Sequence, residues 1–373
     1  MKKLNLMTPI NPLGYGVAGL NILKALHKSV DVCLFPIGQP DISTPQDGEI
    51  FQETLEKRVS SDPHSPCVKI WHEFSMYERV GTGDLFAFPF FEITKFDDNR
   101  KNSLKYANNV IVSSEWAADI IRDQVPSLPV YVAPLGVDRS IFNENAGSEA
   151  RKIQEAHEIK TLCFEGRRSN KLRFFNCGKW EVRKGHDILL SMFQAAFPSE
   201  NDVELSMMTH NPFLSDVESR EWNVYYSSDP RVNLIERKNT PAEVAEEMGK
   251  ADCGIFPSRS EGWNLELLEM MACGKPVIAT NYSAHTEYCD EENCMLIDID
   301  SFETAFDDKW FKGTVGDWAS LQGNAFDQAV SHMRTVYSDW KEGKDLENKA
   351  GIETAKAFSW EATAESVKEA VFS

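Results

Sequence analysis

The sequence predicts an α/β protein built from two Rossmann-like, doubly wound domains that face each other across a cleft. Short apolar segments alternate with segments of helical period along most of the chain, which is typical of parallel sheets covered by helices. The chain has 373 residues, more than one hydrophobic core usually serves. A polar stretch from about 143 to 170 separates two runs of the same pattern. We therefore expect two domains joined in that stretch.

The first half contains the predicted elements of one domain. The helical period predicts helices at GVAGLNILKALHKS and SEWAADIIRDQ, and Ser114 is a favourable N-cap for the second. A Gly-containing turn, NPLGYG, joins the first strand to the first helix. Strands are predicted at KLNLMTPI, VDVCLFPI, CVKIWHEF, LFAFPFFE, NNVIVSS and VYVAPLGVD.

The second half repeats the scheme. Strands are predicted at RFFNCGKW, VELSMMTH, VNLIER, CGIFPS and KPVIAT, and helices at HDILLSMFQAAF and TPAEVAEEMGKA. Thr240 and Glu243 have capping-box spacing at the start of the latter. Between 298 and 348 the pattern weakens, and only NAFDQAVSHMRTVYSDWKEG is a clear helix, followed by WEATAESVKEAVF near the end of the chain.

Composition narrows the classes of function. With 39 Lys and Arg against 58 Asp and Glu, the net charge of −19 repels nucleic acid. The eight cysteines form no C-x-x-C pair, which predicts reduced thiols in a cytoplasmic protein. The first residues lack the apolar core of a secretion signal, and no segment is long enough to span a membrane. A peripheral membrane contact stays open.

The segment PSRSEGWNLELLEMMACGKPVIAT, residues 257–280, carries the strongest signal for a site. Asn264 is a good N-cap for a helix that ends at Gly274, so the backbone amides of residues 262–265 point out of the helix start and attract phosphate. Glu261 precedes this helix and Glu269 lies within it. On their own, two such acids are as well explained as surface residues of an amphipathic helix.

The residues around this pair resemble the signature of retaining glycosyltransferases of the GT-B fold, family 4. Departures are Trp263 for the usual Phe, Asn264 for Gly and Met270 for Ala. The matching residues are Pro257, Ser258, Glu261, Gly262, Glu269, Ala272, Gly274, Pro276, Val277, Ile278 and Ala279.

Other segments are similar to the same family. CGKWEVRKGHDILL resembles its diphosphate-binding segment, which implies that Lys179 and Lys184 hold the donor diphosphate, with Arg183 able to share the task. NPLGYGVAGLNILKAL is similar to its N-terminal Gly loop, which implies that Gly14 and Gly16 approach phosphate. His72 follows a strand where the family often has a His near the reacting carbon.

The resemblance implies a glycosyltransferase that moves a sugar from a UDP- or GDP-sugar to an acceptor hydroxyl with retention. It implies an N-terminal acceptor-side domain at 1–160, a donor-side domain at 161–355 and a returning helix at 356–373. The nucleotide-sugar is a co-substrate, no metal is expected, and the acceptor is a saccharide, a lipid or protein-borne. The implied catalytic residues are His72, Glu261 and Lys184, and the implied donor-binding residues are Gly14, Gly16, Lys179, Lys184, Glu261, Gly262, Trp263, Asn264, Leu265 and Glu269.

Three other functions stay open. A sugar-nucleotide epimerase shares the fold but lacks the spacing of the two glutamates. A nicotinamide-dependent oxidoreductase needs an acid at the end of the second strand, whereas Asp31 precedes that strand. A non-catalytic sugar-binding scaffold would be expected to lose the cations or the acids. His210, His285 and Glu287 are weaker site candidates.

Overall fold

The computed structural model describes residues 1–148 and 171–373. Within them the chain forms two six-stranded sheets, in which every pairing is parallel, and one antiparallel hairpin. The predicted α/β class with two doubly wound sheets is confirmed. Most of the predicted connection between the domains, with Cys163, lies outside the described residues. The seven other cysteines are buried and carry free thiols.

The first sheet has the strand order β2-β1-β3-β4-β5-β6. The helices at 45–56, 98–104 and 115–124 begin at favourable caps, since Thr44, Asp97 and Ser114 each accept a hydrogen bond from a backbone amide of the first turn. The elements are β1 Lys3–Thr8, α1 Gly14–His27, β2 Asp31–Pro36, α2 Pro45–Glu56, β3 Cys67–Lys69, β4 Leu85–Ala87, α3 Asp98–Leu104, β5 Asn109–Val112, α4 Glu115–Gln124 and β6 Val130–Val132, with a 3₁₀ turn at Lys57–Ser60.

The second sheet has the order β12-β11-β10-β7-β8-β9. The predicted capping box of Thr240 and Glu243 is present. The elements are β7 Leu172–Gly178, α5 His186–Ala196, β8 Val203–Thr209, α6 Asp216–Tyr226, β9 Val232–Leu234, α7 Pro241–Lys250, β10 Cys253–Phe256, α8 Leu265–Ala272, β11 Val277–Thr280 and β12 Met295–Ile297, with a 3₁₀ turn at Ser283–Glu287.

The last part of the chain connects the two domains. After the hairpin strands β13 Phe302–Phe306 and β14 Lys312–Ala319 come the helices α9 Asn324–Lys341, α10 Lys349–Ala357 and α11 Trp360–Phe372. α11 packs against α1, and Thr363 donates a hydrogen bond to the carbonyl of Pro134. The end of the chain thus returns to the first sheet.

Two predicted strands are much shorter in the structure. CVKIWHEF contributes only β3, and LFAFPFFE only β4. Pro89 has no amide hydrogen for a ladder, and Phe90 is held away from the sheet by Tyr15, whose hydroxyl donates to the Phe90 carbonyl at 2.7 Å and accepts from its amide at 2.9 Å. Residues 88–93 therefore form a loop that faces the second domain.

The hairpin formed by residues 302–319 was not predicted, and it joins the domains. Trp318 is fully buried in a hydrophobic cluster made largely of first-domain residues, and its Nε1 donates to the carbonyl of Glu92 at 2.7 Å. The amide of Asp317 donates to Thr94 at 2.9 Å. On the other side, Arg259 of the second domain pairs with Glu303 at 2.6 Å.

Candidate active site between the two sheets

Each sheet has a point where the strand order reverses. β1 lies between β2 and β3, and β7 lies between β10 and β8. Ligands of open α/β sheets bind outside the carboxyl ends of the strands at such points. The segments that leave these strand ends include 9–13 and 70–74 in the first domain and 179–185 and 257–264 in the second. These segments hold most of the predicted site residues.

Glu261 is at the centre of the site in the second domain. Its Oε1 accepts hydrogen bonds from Lys184 Nζ and Ser258 Oγ, both at 2.9 Å, and its Oε2 accepts from Arg183 Nη1 at 2.6 Å. Burial acts to raise the pKa of Glu261, but the charges of Arg183 and Lys184 outweigh it and hold that pKa far below its ordinary value. The carboxylate and both cations therefore stay ionised.

A second acid extends this cluster toward the solvent. The Glu181 carboxylate pairs with Lys179 at 2.6 Å and with Arg183 at 2.7 Å. From the first domain, Glu92 comes within 4.0 Å of Arg183. Burial raises the pKa of Glu92 to about 7, although Arg183 opposes the shift. The site thus places three cations beside an acid whose pKa lies near neutrality.

The start of α8 presents backbone amides to this cluster. Asn264 is the N-cap in the left-handed region, with φ 79°, and its side chain accepts from the amide of Leu267. Among residues 1–148 and 171–373, no acceptor lies within hydrogen-bond reach of the amides of Gly262, Trp263 and Asn264. These amides and the helix dipole favour an anion at this end.

His285 lies behind the helix start and keeps Asn264 in place. Its Nε2 is 2.9 Å from Asn264 Nδ2, which can only donate, so Nε2 accepts and Nδ1 carries the hydrogen shared with the carbonyl of Thr280 at 3.0 Å. Burial lowers the pKa of His285 to about 4. A fully buried and neutral His285 positions the loop and does not face the cleft directly.

Glu269 sits in α8, half-buried, and none of the described side chains pairs with its carboxylate. Burial, with a smaller contribution from Glu266, raises the pKa of Glu269 to about 8. Glu266 in turn lies 4.0 Å from Lys184. The acid is therefore close to the cation cluster and protonated at neutral pH.

The structure places the Trp263 side chain away from the cleft, so the predicted contact with the donor stays a prediction for its backbone amide alone. Its ring packs in the core, 4.8 Å from the Tyr288 ring and 5.7 Å from that of Phe358, and only 3% of the residue is exposed. The left-handed turn at Asn264 directs the indole inward, so only the backbone of Trp263 can meet a ligand. Leu265 is half-buried and likewise offers its backbone at the helix start.

In the first domain, Gly14 and Gly16 lie in the first turn of α1 and not in a preceding loop. A Cβ on Gly16 would lie 2.2 Å from the carbonyl oxygen of Asn11, whereas one on Gly14 would meet nothing within 4 Å. Gly16 therefore lets the 9–13 segment fold back on the helix. Arg237 of the second domain reaches the Pro12 carbonyl at 3.5 Å, so this turn borders the cleft.

His72 is half-buried in an aromatic group on the first domain's side. Its ring stacks on Phe74 at 4.9 Å and meets the rings of Tyr15 at 4.7 Å and Trp71 at 4.8 Å. Burial, with the charges of Lys179 and Arg100, lowers the pKa of His72 to about 4. His72 is thus a neutral imidazole, and it lies close enough to Lys179 of the second domain for that charge to lower its pKa.

Solved structures share this architecture over the whole chain. Sucrose-phosphate synthase from Thermosynechococcus elongatus superposes with a TM-score of 0.70 and 16% identity over 99% of this chain and 98% of that one. HepE of Anabaena, solved with UDP and glucose, gives a TM-score of 0.67 and 15% identity over 100% of both chains. At these identities the likeness shows the fold, which is GT-B.

Sequence similarity to one family is found in the second domain. Residues 171–309 match the family model described as Glycosyl transferases group 1. Over these residues of the second domain the chain is similar to the group 1 glycosyltransferases. A D-inositol 3-phosphate glycosyltransferase of Paenarthrobacter aurescens is 23% identical over 225 residues, which cover 57% of this chain. The match spans about half the length of that relative, 50%, and 46% of a second one from Arthrobacter.

Several features of this candidate site were missed in the sequence. Glu92, Glu181 and the buried His186 all contribute to the cluster, and His186 holds the 179–185 segment by accepting from the Glu181 amide at 3.2 Å and contacting Asn176 at 2.9 Å. The contact of Glu92 with Arg183 joins distant parts of the chain, for which no local pattern exists, whereas Glu181 and His186 contact near neighbours within the same segment. The basic segment itself was the only available signal.

Two further candidates sit at the edge of the site. Glu287 accepts a hydrogen bond from the amide of Glu115, so it joins the domains away from the cations. His210 follows β8 and is exposed, with its amide bonded to Gly178. Asp31 begins β2 and pairs with Lys57. It therefore lies at the opposite end of the strand from the carboxyl end, where an acid would bind the ribose of a nicotinamide cofactor.

Neither a metal cluster nor a membrane span is found in the part of the chain that the structure describes. No three His, Cys, Asp or Glu side chains there are grouped so that they could hold a metal ion. The described helices all lack the length or the apolar character needed to cross a bilayer.

Proposed function

We propose that this protein transfers a sugar from a UDP- or GDP-sugar to an acceptor hydroxyl with retention of configuration. The observation that carries the proposal is the convergence of Lys179, Arg183 and Lys184 with the free amides at the start of α8. The fold shared with a protein solved with UDP and glucose supports UDP as one donor nucleotide.

The cations act on the leaving group. When the bond from the sugar to the diphosphate breaks, negative charge grows on the phosphate oxygens, and charges fixed beforehand stabilise it without reorganisation. Lys184 and Arg183 are held in place by Glu261, so they meet the diphosphate in a set geometry. The chemistry proposed here uses no metal cofactor, because these cations and amides supply the charge.

Glu261 has room for one further hydrogen bond. A carboxylate offers about four acceptor sites, and three are taken by Lys184, Ser258 and Arg183. The remaining site suits a hydroxyl of the donor sugar. Glu261 thus both aligns the cations and orients the sugar, so its loss would disturb both.

The remaining predicted residues take positioning roles. Glu269, protonated at neutral pH in the free protein, would bind the ribose hydroxyls, and its pKa would fall if a ligand brought further hydrogen-bond donors. Neutral His72 would contact the sugar or the acceptor and is too weakly basic to be a cation at pH 7. The acceptor proton would pass to a departing phosphate oxygen.

Calorimetry with UDP, GDP and ADP tests the donor site. One nucleotide should bind at micromolar concentration, and Lys184→Ala and Glu269→Ala should each weaken it. Lys341→Ala is the matched control. Lys341 is a surface lysine at the end of α9 in the second domain, where it pairs with Asp202. If none of the three nucleotides binds, the proposal fails.

Retention is tested separately by NMR. The slow hydrolysis of the matching nucleotide-sugar should release a sugar whose first-formed anomer has the donor's configuration. Release of the opposite anomer would refute retention while leaving the donor class intact.

A further inference from the structure

A cavity of about 380 Å³ opens beside the cation cluster, on the second domain. It lies between α6 and the tip of the 302–319 hairpin, with the ends of the 179–187 segment as its floor. Its size is that of a small-ligand pocket. None of the residues assigned above to sugar, ribose or helix-start contacts lines it, and Glu181 alone is shared with the cation cluster.

Aromatic rings form much of its wall. Trp180 and Trp222 stack in parallel at 5.3 Å, and Tyr225 and Trp310 complete the lining. Trp310 is 50% exposed, and its ring meets the ring of Phe213 edge to face at 5.6 Å. Flat apolar faces held open to solvent in a concave site suit a ligand with an apolar face of its own.

The acids of the wall are already engaged. Asp187 pairs with Arg259 at 2.6 Å, and Glu218 pairs with Lys309 at 3.1 Å. Asp307 accepts the backbone amides of residues 309, 310 and 311. Among the described residues, the exposed Glu221 is the one wall acid that has neither a cation partner nor a backbone amide donor.

This balance favours a neutral ligand. A cation would gain little from carboxylates that are already paired, and an anion would meet their negative charge. A polyol with an apolar ring face matches both parts of the wall, because its hydroxyls donate to carboxylates and its C–H face lies on an aromatic ring. That combination is a pyranose sugar.

The cavity lies at the opposite end of the cluster from Glu269. Contacts run from its wall at Glu181 to Arg183, then to Glu261 and Lys184, which in turn approaches Glu266 on α8. If Glu269 holds the ribose, the nucleotide occupies the α8 end. The cavity is then beyond the sugar and the diphosphate, on a side free for a second substrate.

We propose that this cavity binds a neutral saccharide unit of the acceptor. The proposal rests on the transferase function given above, since it names a part of the acceptor. Trp310 and Trp222 are the specificity-determining side chains, and Glu221 at the rim accepts a hydroxyl. None of them takes part in the chemical step.

The test is calorimetric titration of the full chain, saturated with UDP, with glucose, galactose, mannose and maltose as probes. At least one should bind, and Trp310→Ala should raise its Kd by about tenfold, the usual scale for truncating an aromatic anchor. Glu221→Gln should raise it about threefold. Val224→Ala, on the same helix but outside the cavity and 66% exposed, is the control and should change nothing.

Each outcome decides the proposal. Sugar binding that weakens in Trp310→Ala while UDP affinity stays unchanged supports it. It is overturned if no probe binds the UDP-saturated protein, if binding is the same in Trp310→Ala, or if spermidine binds there instead. Loss of UDP affinity in Trp310→Ala assigns the cavity to the donor base and also overturns it. Failure of UDP to bind the wild type refutes the donor proposal, and the sugar titration of that protein alone still tests the cavity.

Discussion

Replacing Lys184 with Met isolates the contribution of one charge in the donor site. The stem of Lys184 runs beside Gly178, where a Cβ would lie 3.1 Å from its Cδ, so Met keeps that packing and removes only the ammonium. Glu261 keeps its bonds to Arg183 at 2.6 Å and Ser258 at 2.9 Å. The carboxylate is therefore not left unpaired, and the fold should survive.

The expected magnitude follows from the interaction that is lost. A hydrogen bond to a charged group contributes about 1.5–3 kcal/mol, which corresponds to a loss of nucleotide affinity of roughly 10- to 150-fold. In the transition state the leaving phosphate carries more charge, and removing one preorganised donor costs about 10²–10³ in kcat. The rate of sugar transfer or donor hydrolysis should therefore fall more than the affinity.

The assay is calorimetry with the nucleotide that binds the wild type, followed by the rate of nucleotide release from its sugar conjugate. Lys341→Met controls for loss of a surface charge, and urea denaturation checks that the fold is retained. A change of less than twofold in both Kd and rate, in a folded variant, would show that Lys184 does not face the diphosphate.

Other predictions concern stability. Gly16→Ala should destabilise by about 1–3 kcal/mol, because its Cβ would meet the backbone of Asn11 at 2.2 Å, while Gly14→Ala should stay within about 0.5 kcal/mol; urea denaturation measures both. Burial raises the pKa of Glu269 from 4.5 to about 8, so the folded state holds this proton more tightly than the unfolded state does. The stability that results is present below about pH 4.5 and is lost as the pH rises toward 8. Glu269→Gln should therefore flatten the fall in stability measured between pH 5 and pH 8. Both Asn264→Ala and Asn264→Gly should lose about 1–3 kcal/mol because the buried Nε2 of His285 loses its donor. Asn264→Ala should cost about 2 kcal/mol more than Asn264→Gly for the lost cap and for φ 79°, as thermal denaturation would show.

These predictions have clear contrary results. Equal stabilities of the two glycine variants would contradict the close approach at Asn11. A pH profile of Glu269→Gln that parallels the wild type would contradict the raised pKa of Glu269. If Asn264→Gly is as unstable as Asn264→Ala, the left-handed turn is not what the asparagine supplies.

The repeating local pattern was enough to predict the two sheets. Apolar runs and caps such as Ser114 and Thr240 depend on neighbours in the chain, and these elements appear where the sequence placed them. The helix after Asn264 was also predictable, because its signals lie within one short segment. The cations before α5 were predictable for the same reason, from a second short segment. The family resemblance implied that Lys184, Arg183 and Glu261 serve one donor site, but their direct contacts were not predicted, because no local pattern contains them.

What could not be predicted depends on contacts between distant residues. Glu92 acquires its place near Arg183 only when the two domains meet. The sequence did not show that the side chain of Trp263 lies in the core, which leaves only its backbone for contact with a ligand. The hairpin was missed because its strands alternate irregularly, with a register break between Thr304 and Phe306.

The burial of Trp318 among first-domain side chains makes the order of synthesis matter. The cluster that it completes is otherwise built largely from residues 67–125, which leave the ribosome nearly two hundred residues earlier. Until Trp318 and α11 have been made, the early domain has an unfilled apolar recess and an uncovered face on α1. Domains that expose such surfaces during synthesis are prone to misassembly. The final third of this chain therefore protects the first third from misassembly by covering these apolar surfaces once it has been made.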